Sequence, residues 1–456
     1  MKPELHPDAA RNFNDKARAL QDKVGPMTEA LPSEMPTHIA RPGAPAHVVS
    51  EGELFDFKIT GLQDQLGRTT ARYFEHQGRR FGLEGDRYKE LARLSEGLQR
   101  TNELRDVVST KWVEDAILYW MKEQHTGGGT PELADFIAKR CEEDVKEHEV
   151  WFPIARLSLE SDLAFGNVVF KTIPKQMLDW LEEDIQGAKE GRSEEDAAQM
   201  DSHMRRMRHE LQGLAATTIT VEAEPRRAAE VGRRESDRAV ALLRVFDVAA
   251  TTMPEVTSYC ALLGRENIEQ IRRLNVEGGR IRGEALQSVG VPVMNFHLSD
   301  EEISRYKETL SFDSASELLT LERRTDFQEK LLDALLLYSR STREKDLAGR
   351  LVYMLVAIET ILLRDANEYI EQNIGERMAF VIANTPEARR ATVRHLKDAY
   401  RLRSKFIHHG QTIDEIETVR TFMFDAWSLF IALVKASHEF DTKEQLIDNL
   451  DERKFA

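Results

Sequence analysis

From Asp326 onward apolar positions recur at helical spacing almost without a break. LAGRLVYMLVAIETILL is apolar nearly all round, broken only by Glu359 and Thr360, which marks a helix buried on most sides. Ser341 and Glu344 have capping-box spacing ahead of it. Thr385 followed by Pro386 predicts another start, and the helix it opens runs through RRATVRHLKDAYRLRSKFIHH to Gly410, a residue suited to a left-handed stop. A last long helix, DEIETVRTFMFDAWSLFIALVKASHEF, completes an antiparallel bundle of about four helices.

Upstream the period changes. WFPIARLSLE, LAFGNVVFKTI, TTITVEAE and VPVMNFHL read as strands, with Ile219 and Val221 on one face of the third and Thr220 and Glu222 on the other. QMLDWLEEDIQGA and AAQMDSHMRRMRHELQGL between them are helical, and Ser299 with Glu302 caps the helix ISRYKETL. From Leu54 to Trp120 the apolar spacing is mixed. Residues 1–50 are rich in proline and polar residues, which predicts one short helix near Ala9–Val24 and otherwise a poorly ordered lead-in. The expected organisation is therefore a lead-in at 1–50, an α+β region at 51–320 and an all-α helical bundle at 321–456, mainly α overall. HTGGGTPEL lacks the lysine of a phosphate loop and reads as a turn before a helix at Pro131–Cys141. GGRIRGEAL, around Gly278–Gly283, lacks the strand-to-helix context of a dinucleotide loop.

Composition adds bounds. The chain has 456 residues, 41% of them hydrophobic and 31% charged, as an ordinary globular protein does. No apolar run approaches the roughly 18 residues of a membrane span, and the first thirty residues lack the order of a signal peptide. Cys141 and Cys260 stand far apart and give neither a disulfide framework nor a zinc pattern. A cytoplasmic address, no membrane and no cofactor or metal are the expectations. A formal net charge of −16 argues against general coating of nucleic acid, while leaving room for a local basic site.

Such a site stands in the helix that ends at Gly410. On a helical wheel Val393, Leu396, Tyr400 and Ile407 form an apolar stripe, with Ala399 and Phe406 at its edge. Arg390, Arg394, Lys397, Arg401 and Lys405 form a basic stripe beside it, and His408 follows one turn later. From Arg389 to Lys405 there are seven cations against one carboxylate, Asp398, a reversal that points to an anion and above all to phosphate. Arg403 lands inside the apolar stripe, where a guanidinium needs a partner. Glu359 is the candidate, either as a plain structural ion pair or as the residue that aims Arg403 into a charged cleft. A terminal-turn histidine is favoured by the helix dipole in any case, and His409 and the basic stripe also fit a solvated face. Arg-x4-His occurs twice, at Arg390/His395 and Arg403/His408; the second has the terminal turn, the glycine and the misplaced arginine. His203 and His209, in DSHMRRMRHE, fit a surface helix face.

Arg403-Ser404-Lys405-Phe406-Ile407-His408 resembles the R-x4–6-H motif of HEPN domains, helical bundles whose active members are metal-independent ribonucleases. The wider block, KLLDALLLYSRSTREKDLAGRLVYMLVAIETILL with AYRLRSKFIHHG, is most similar to the ApeA-like HEPN subgroup, whose members often serve bacterial defence or abortive infection. The resemblance implies that Arg403 and His408 are the motif pair, that Ser404 fills the polar position after the arginine, and that Glu359 is the acidic residue of an earlier helix. It also implies a homodimer or higher homo-oligomer, with two motifs facing one RNA cleft, and a phage-derived trigger.

The chemistry expected is cleavage of RNA by its own 2′-OH. His408 takes the 2′-OH proton or protonates the leaving 5′-oxygen, since an imidazole changes charge near neutral pH. Arg403 holds the scissile phosphate. Arg394, Lys397, Arg401 and Lys405 position the backbone, with His409 in support. The products are 2′,3′-cyclic phosphate and 5′-OH ends. The alternative is a non-catalytic module of the same fold that binds RNA, a nucleotide or a partner protein; a third reading is a scaffold that only dimerises.

Overall fold

The computed structural model describes residues 5–27, 59–63, 68–129, 131–189, 192–251, 253–266, 268, 270–277, 280–288, 294–365 and 368–454. The chain is mainly α and divides into two compact units, Met1–Val150 with Thr220–Val231, and Trp151–Ile219 with Gly232–Ala456. These units do not coincide with the sequence divisions at residues 50 and 320. Beyond Met27 the expected lead-in lies outside the described residues.

In the first unit α1 (Pro7–Gln21) is followed by a sheet whose strands went unread in the sequence. β1 (Gly25–Pro26), β2 (Ile59–Gln63), β3 (Thr69–His76) and β4 (Arg79–Glu84) pair in the order β1-β4-β3-β2. Their alternation is hidden because Ala71, Arg72, Tyr73 and Phe74 are all buried. Arg72 lies among them because its guanidinium meets Glu114 at 3.0 Å and also pairs with Asp115. Gln77 and Gly78, both at positive φ, make the tight β3–β4 turn. Helices α2 (Asp86–Gln99), α3 (Thr110–His125) and α4 (Leu133–Asp144) enclose a core around Phe74, Leu91, Ile117 and Ile137. HTGGGTPEL, whose Thr130 lies outside the described residues, joins α3 to α4, with Gly127 at φ +80°.

The second unit holds most of a five-stranded sheet, β10-β5-β9-β8-β7, made of β5 (Lys146–Ala155), β7 (Leu163–Phe165), β8 (Val168–Thr172), β9 (Ala215–Ala223) and β10 (Ala261–Leu262). The division between units falls within β5 and β9. A two-residue turn joins β7 to β8. Gly166 there has φ +63°, and a Cβ on it would lie 2.6 Å from Leu319. β6 (Leu157–Leu159) pairs in parallel with β13 (Phe296–Leu298), the end of VPVMNFHL; Met294 and Asn295 are not strand, and residues 291–293 lie outside the described residues. GGRIRGEAL runs into β12 (Arg280–Ser288), the second strand of a hairpin with β11 (Gln270–Glu277); Gly278 and Gly279 lie outside the described residues. The other helices up to residue 320 are α5 (Lys175–Ala188), α6 (Glu194–Leu211), α7 (Pro225–Leu243), α8 (Val248–Thr251), α9 (Asp300–Thr309) and α10 (Phe312–Thr320). The expected capping box of Ser299 and Glu302 opens α9.

The bundle comprises α11 (Asp326–Ser341), α12 (Leu347–Leu362), α13 (Ile370–Ile382), α14 (Pro386–His409), α15 (Ile416–Lys435) and α16 (Lys443–Glu452). It shares one core with the strands, running from Phe165, Phe246 and Phe312 through Leu331, Tyr338, Leu355 and Ile358 to Phe430 and Leu450. One cap differs from expectation. Ser341 ends α11 and donates back to the Tyr338 carbonyl at 2.6 Å, so Asp346 caps α12 and accepts from the Gly349 amide at 2.8 Å. Among the described residues no helix is long and apolar enough to cross a membrane.

Candidate active site

Both ends of α14 are set by sequence. The Thr385 hydroxyl accepts from the Ala388 amide at 3.2 Å with Pro386 in the first turn, and Gly410, at φ +61°, donates to the Phe406 carbonyl at 2.9 Å. Its buried face is Thr392, Leu396, Ala399 and Leu402. The apolar stripe read from the wheel therefore ends early: Phe406 is 38% and Ile407 52% exposed, because no residue of α14 beyond Leu402 enters the core.

Arg403 is half-buried, at the point where α14 leaves the core. Its Nη1 lies 3.5 Å from Glu359 Oε1, which reaches out from α12. The same oxygen accepts the Tyr400 hydroxyl at 2.9 Å. Burial pushes the Tyr400 phenol well above its ordinary range and the adjacent Glu359 carboxylate adds to this, so the hydroxyl stays a donor. One carboxylate thus fixes two side chains one turn apart. The Arg403 Nε is buried and has no hydrogen-bond partner among the described residues.

Tyr400 and Arg403 open onto a cleft of about 710 Å³. Lys397, Asp398, Arg401, Ser404, Ile407 and His408 line it from the same helix, and Glu371 lines it from the first turn of α13. His409 is exposed and does not line it. The structure brings Arg403, Ser404, His408, Lys397 and Arg401 to one cavity, with Glu359 behind Arg403.

The basic stripe is less free than its sequence suggests. Arg401 makes a two-pronged pair with Glu415, at 2.8 and 3.1 Å, and lies 3.5 Å from Asp398. Lys405 lies 3.8 Å from Glu415, and Arg390 pairs with Glu387 at 2.8 Å. Glu415 stands at the N-cap of α15 but makes no capping bond, its carboxylate being turned onto α14. Arg389 packs on the Phe380 ring at 4.1 Å and donates to the Ala383 carbonyl. The side chains of Arg394, Lys397, Ser404, His408 and Glu371 make no hydrogen bond or ion pair among the described residues.

The other Arg-x4-His is a different object. His395 Nδ1 lies 2.7 Å from Asp425 Oδ2 and is committed to holding α14 on α15. Burial raises the Asp425 carboxyl even so, with the imidazole opposing it. The sequence reading missed Tyr400 as a partner of Glu359, and it missed Glu371 and Glu415. Tyr400 had a signal, since it precedes Arg403 by three residues and faces the same neighbour. Glu371 and Glu415 had none, because their relation to α14 exists only in the fold. Among the described residues no group of three or more His, Cys, Asp or Glu side chains is arranged to hold a metal ion. No family model matches the chain, and no curated protein or solved structure matches it.

Proposed function

We propose that this cleft is the active site of a metal-independent endoribonuclease of HEPN type, cleaving RNA to 2′,3′-cyclic phosphate and 5′-OH ends. The observation that carries the reading is the contrast between the two Arg-x4-His pairs. His395 is tied to Asp425, whereas Arg403 and His408 line one cleft, with Arg403 anchored by Glu359 and His408 unengaged. RNA supplies its own nucleophile, so the protein has to hold the phosphate and move protons. Arg403 is the phosphate donor, because it lines the cleft and its planar fork suits that anion. His408 moves a proton at a ribose oxygen. Lys397 and Arg394 steer the backbone, and Arg401 and Lys405 join them where phosphate displaces Glu415.

The proposal extends to a homodimer or higher homo-oligomer with the cleft at its interface, supported by the exposed Phe406 and Ile407 beside it. A role in bacterial defence, under a phage-derived trigger and in the cytoplasm, belongs to the same reading. The test is cleavage of total tRNA and rRNA in EDTA by wild type and His408→Ala. Cleavage by wild type alone, leaving cyclic phosphate ends, supports the assignment. Equal cleavage by both proteins removes His408 from the mechanism, and binding without products points to a non-catalytic RNA-binding module.

A further inference from the structure

Cleavage by the 2′-OH is an in-line displacement, so the attacking and leaving oxygens lie on opposite sides of phosphorus. Each side needs a proton-transfer group, and one imidazole reaches only one side in a single step. Which groups in the cleft are uncommitted? Asp398 is paired with Arg401, and the Tyr400 hydroxyl is given to Glu359 and held in its protonated form. Arg401 and Arg403 are cations without a removable proton at working pH. Lys397 is unengaged but suits a phosphate as a point charge. Ser404 also lines the cleft, but an aliphatic hydroxyl neither gains nor loses a proton readily near neutral pH. Two groups remain, His408 at the end of α14 and Glu371 at the start of α13, and both line the cleft.

Glu371 invites a plainer account, since a carboxylate in the first turn of a helix is favoured by the dipole alone. Its place argues for more. A carboxylate beside Arg403, Lys397 and His408 repels the phosphate that those residues attract, unless it meets a proton donor on the substrate. The donor nearest a scissile phosphate is the 2′-OH.

We propose that Glu371 is the general base of this cleft and His408 its general acid, so that a single chain carries both proton-transfer groups. The proposal rests on the ribonuclease reading and assigns the half of its chemistry that reading leaves open. The Glu371 carboxylate takes the 2′-OH proton as the 2′-oxygen bonds to phosphorus. The bond from phosphorus to the 5′-oxygen breaks, and that oxygen takes its proton from the His408 imidazolium. Glu371 ends protonated and His408 neutral, and exchange with water restores both. Arg403 and Lys397 hold the non-bridging oxygens throughout.

The groups facing Glu371 across the cleft are Lys397, Asp398, Tyr400, Arg401, Arg403 and His408 on α14, with Glu359 of α12 behind Tyr400. The other helices packed on α13 contribute no lining residue. Activity therefore has an acid limb set by Glu371 and an alkaline limb set by His408.

The experiment is steady-state cleavage of a single-stranded RNA across pH by wild type, Glu371→Gln and His408→Ala, repeated on an RNA whose scissile 5′-oxygen is replaced by sulfur. The expected result is a fall in kcat of about 10²–10⁴-fold for E371Q with KM unchanged or lower, and loss of its acid limb. The sulfur substrate, whose thiolate leaves without a proton, restores H408A and leaves E371Q slow. Glu371 is exposed, so E371Q is expected to melt with wild type, which separates a catalytic loss from unfolding. Undiminished kcat for E371Q, or a retained acid limb, overturns the assignment of Glu371 while the ribonuclease reading stands. An inert wild type overturns both.

Discussion

Arg403 is the residue that the sequence marks most clearly, because a guanidinium on an apolar face has to be explained. The structure supplies its carboxylate, Glu359 at 3.5 Å, and adds that Tyr400 shares the same oxygen at 2.9 Å. That second contact was signalled only by spacing, since Tyr400 stands one helical turn before Arg403 but fits an apolar stripe equally well. It has a consequence for variants. In Glu359→Gln the amide oxygen still accepts from Tyr400, so the fold keeps its bond and the guanidinium loses only its countercharge. We expect kcat/KM for RNA to fall about tenfold, ~1.4 kcal/mol for one charge-assisted contact, with little change in melting temperature. Tyr400→Phe should do the reverse. It removes a part-buried hydrogen bond worth about 1 kcal/mol, visible in thermal melts, while Arg403 keeps its ion pair and most of the activity. A larger activity loss in Y400F than in E359Q would mean that the phenol itself meets the substrate.

At the scale of elements, α14 was legible from end to end, because its cap, its first-turn proline and its terminal glycine are local signals. Helices placed by distant partners were not. α16 follows the last helix foreseen, and it is held by contacts that sequence spacing does not display. Leu446, Ile447 and Leu450 are buried, and Arg377, 2% exposed, reaches from α13 to both Asp451 on α16 and Glu368 before α13. Each partner lies within 2.8 Å of a guanidinium nitrogen. Arg377 thereby holds the carboxyls of Asp451 and Glu368 below the usual range. The folded state then binds fewer protons than the unfolded one, so this clamp contributes in full above the ordinary carboxylate range and is lost as pH falls through the lowered values. Arg377→Met should cost about 2 kcal/mol near neutral pH, since it takes the buried shared guanidinium from both carboxylates and leaves Asp451 only Lys454 and Arg364, and Glu368 only Arg364. The gap to wild type, followed by thermal melts, should narrow below about pH 4 as those carboxylates protonate. A constant gap down to pH 2 would mean that packing of the arginine stem, not charge, is what α16 depends on.

Over the whole molecule the balance of charge decides how an acidic protein meets a polyanion. The net charge of −16 repels RNA on average, and the sequence located a local reversal on α14. It overstated the strength, because a count along one helix cannot include Glu415, which folds back from the next helix onto Arg401 and Lys405. The same blindness to distant partners hid β3, whose Ala71, Arg72, Tyr73 and Phe74 are all buried, and the division read at residue 320 is not the one between the two compact units. What remains unpaired near the cleft is Arg394 and Lys397, with Arg403 only loosely paired. Neutralising about three phosphates on a single strand predicts a slope of log affinity against log salt of about −2. Glu415→Gln frees Lys405 and leaves Arg401 only Asp398, so it should steepen that slope toward about −3 on the same relation, with tighter binding at low salt. Lys397→Gln should flatten it by about 0.7. Anisotropy titrations with a 2′-deoxy single strand, which cannot be cleaved, separate these effects from turnover. Equal slopes for wild type and E415Q would show that phosphate displaces Glu415 without difficulty, and the full basic stripe would then count as the binding surface.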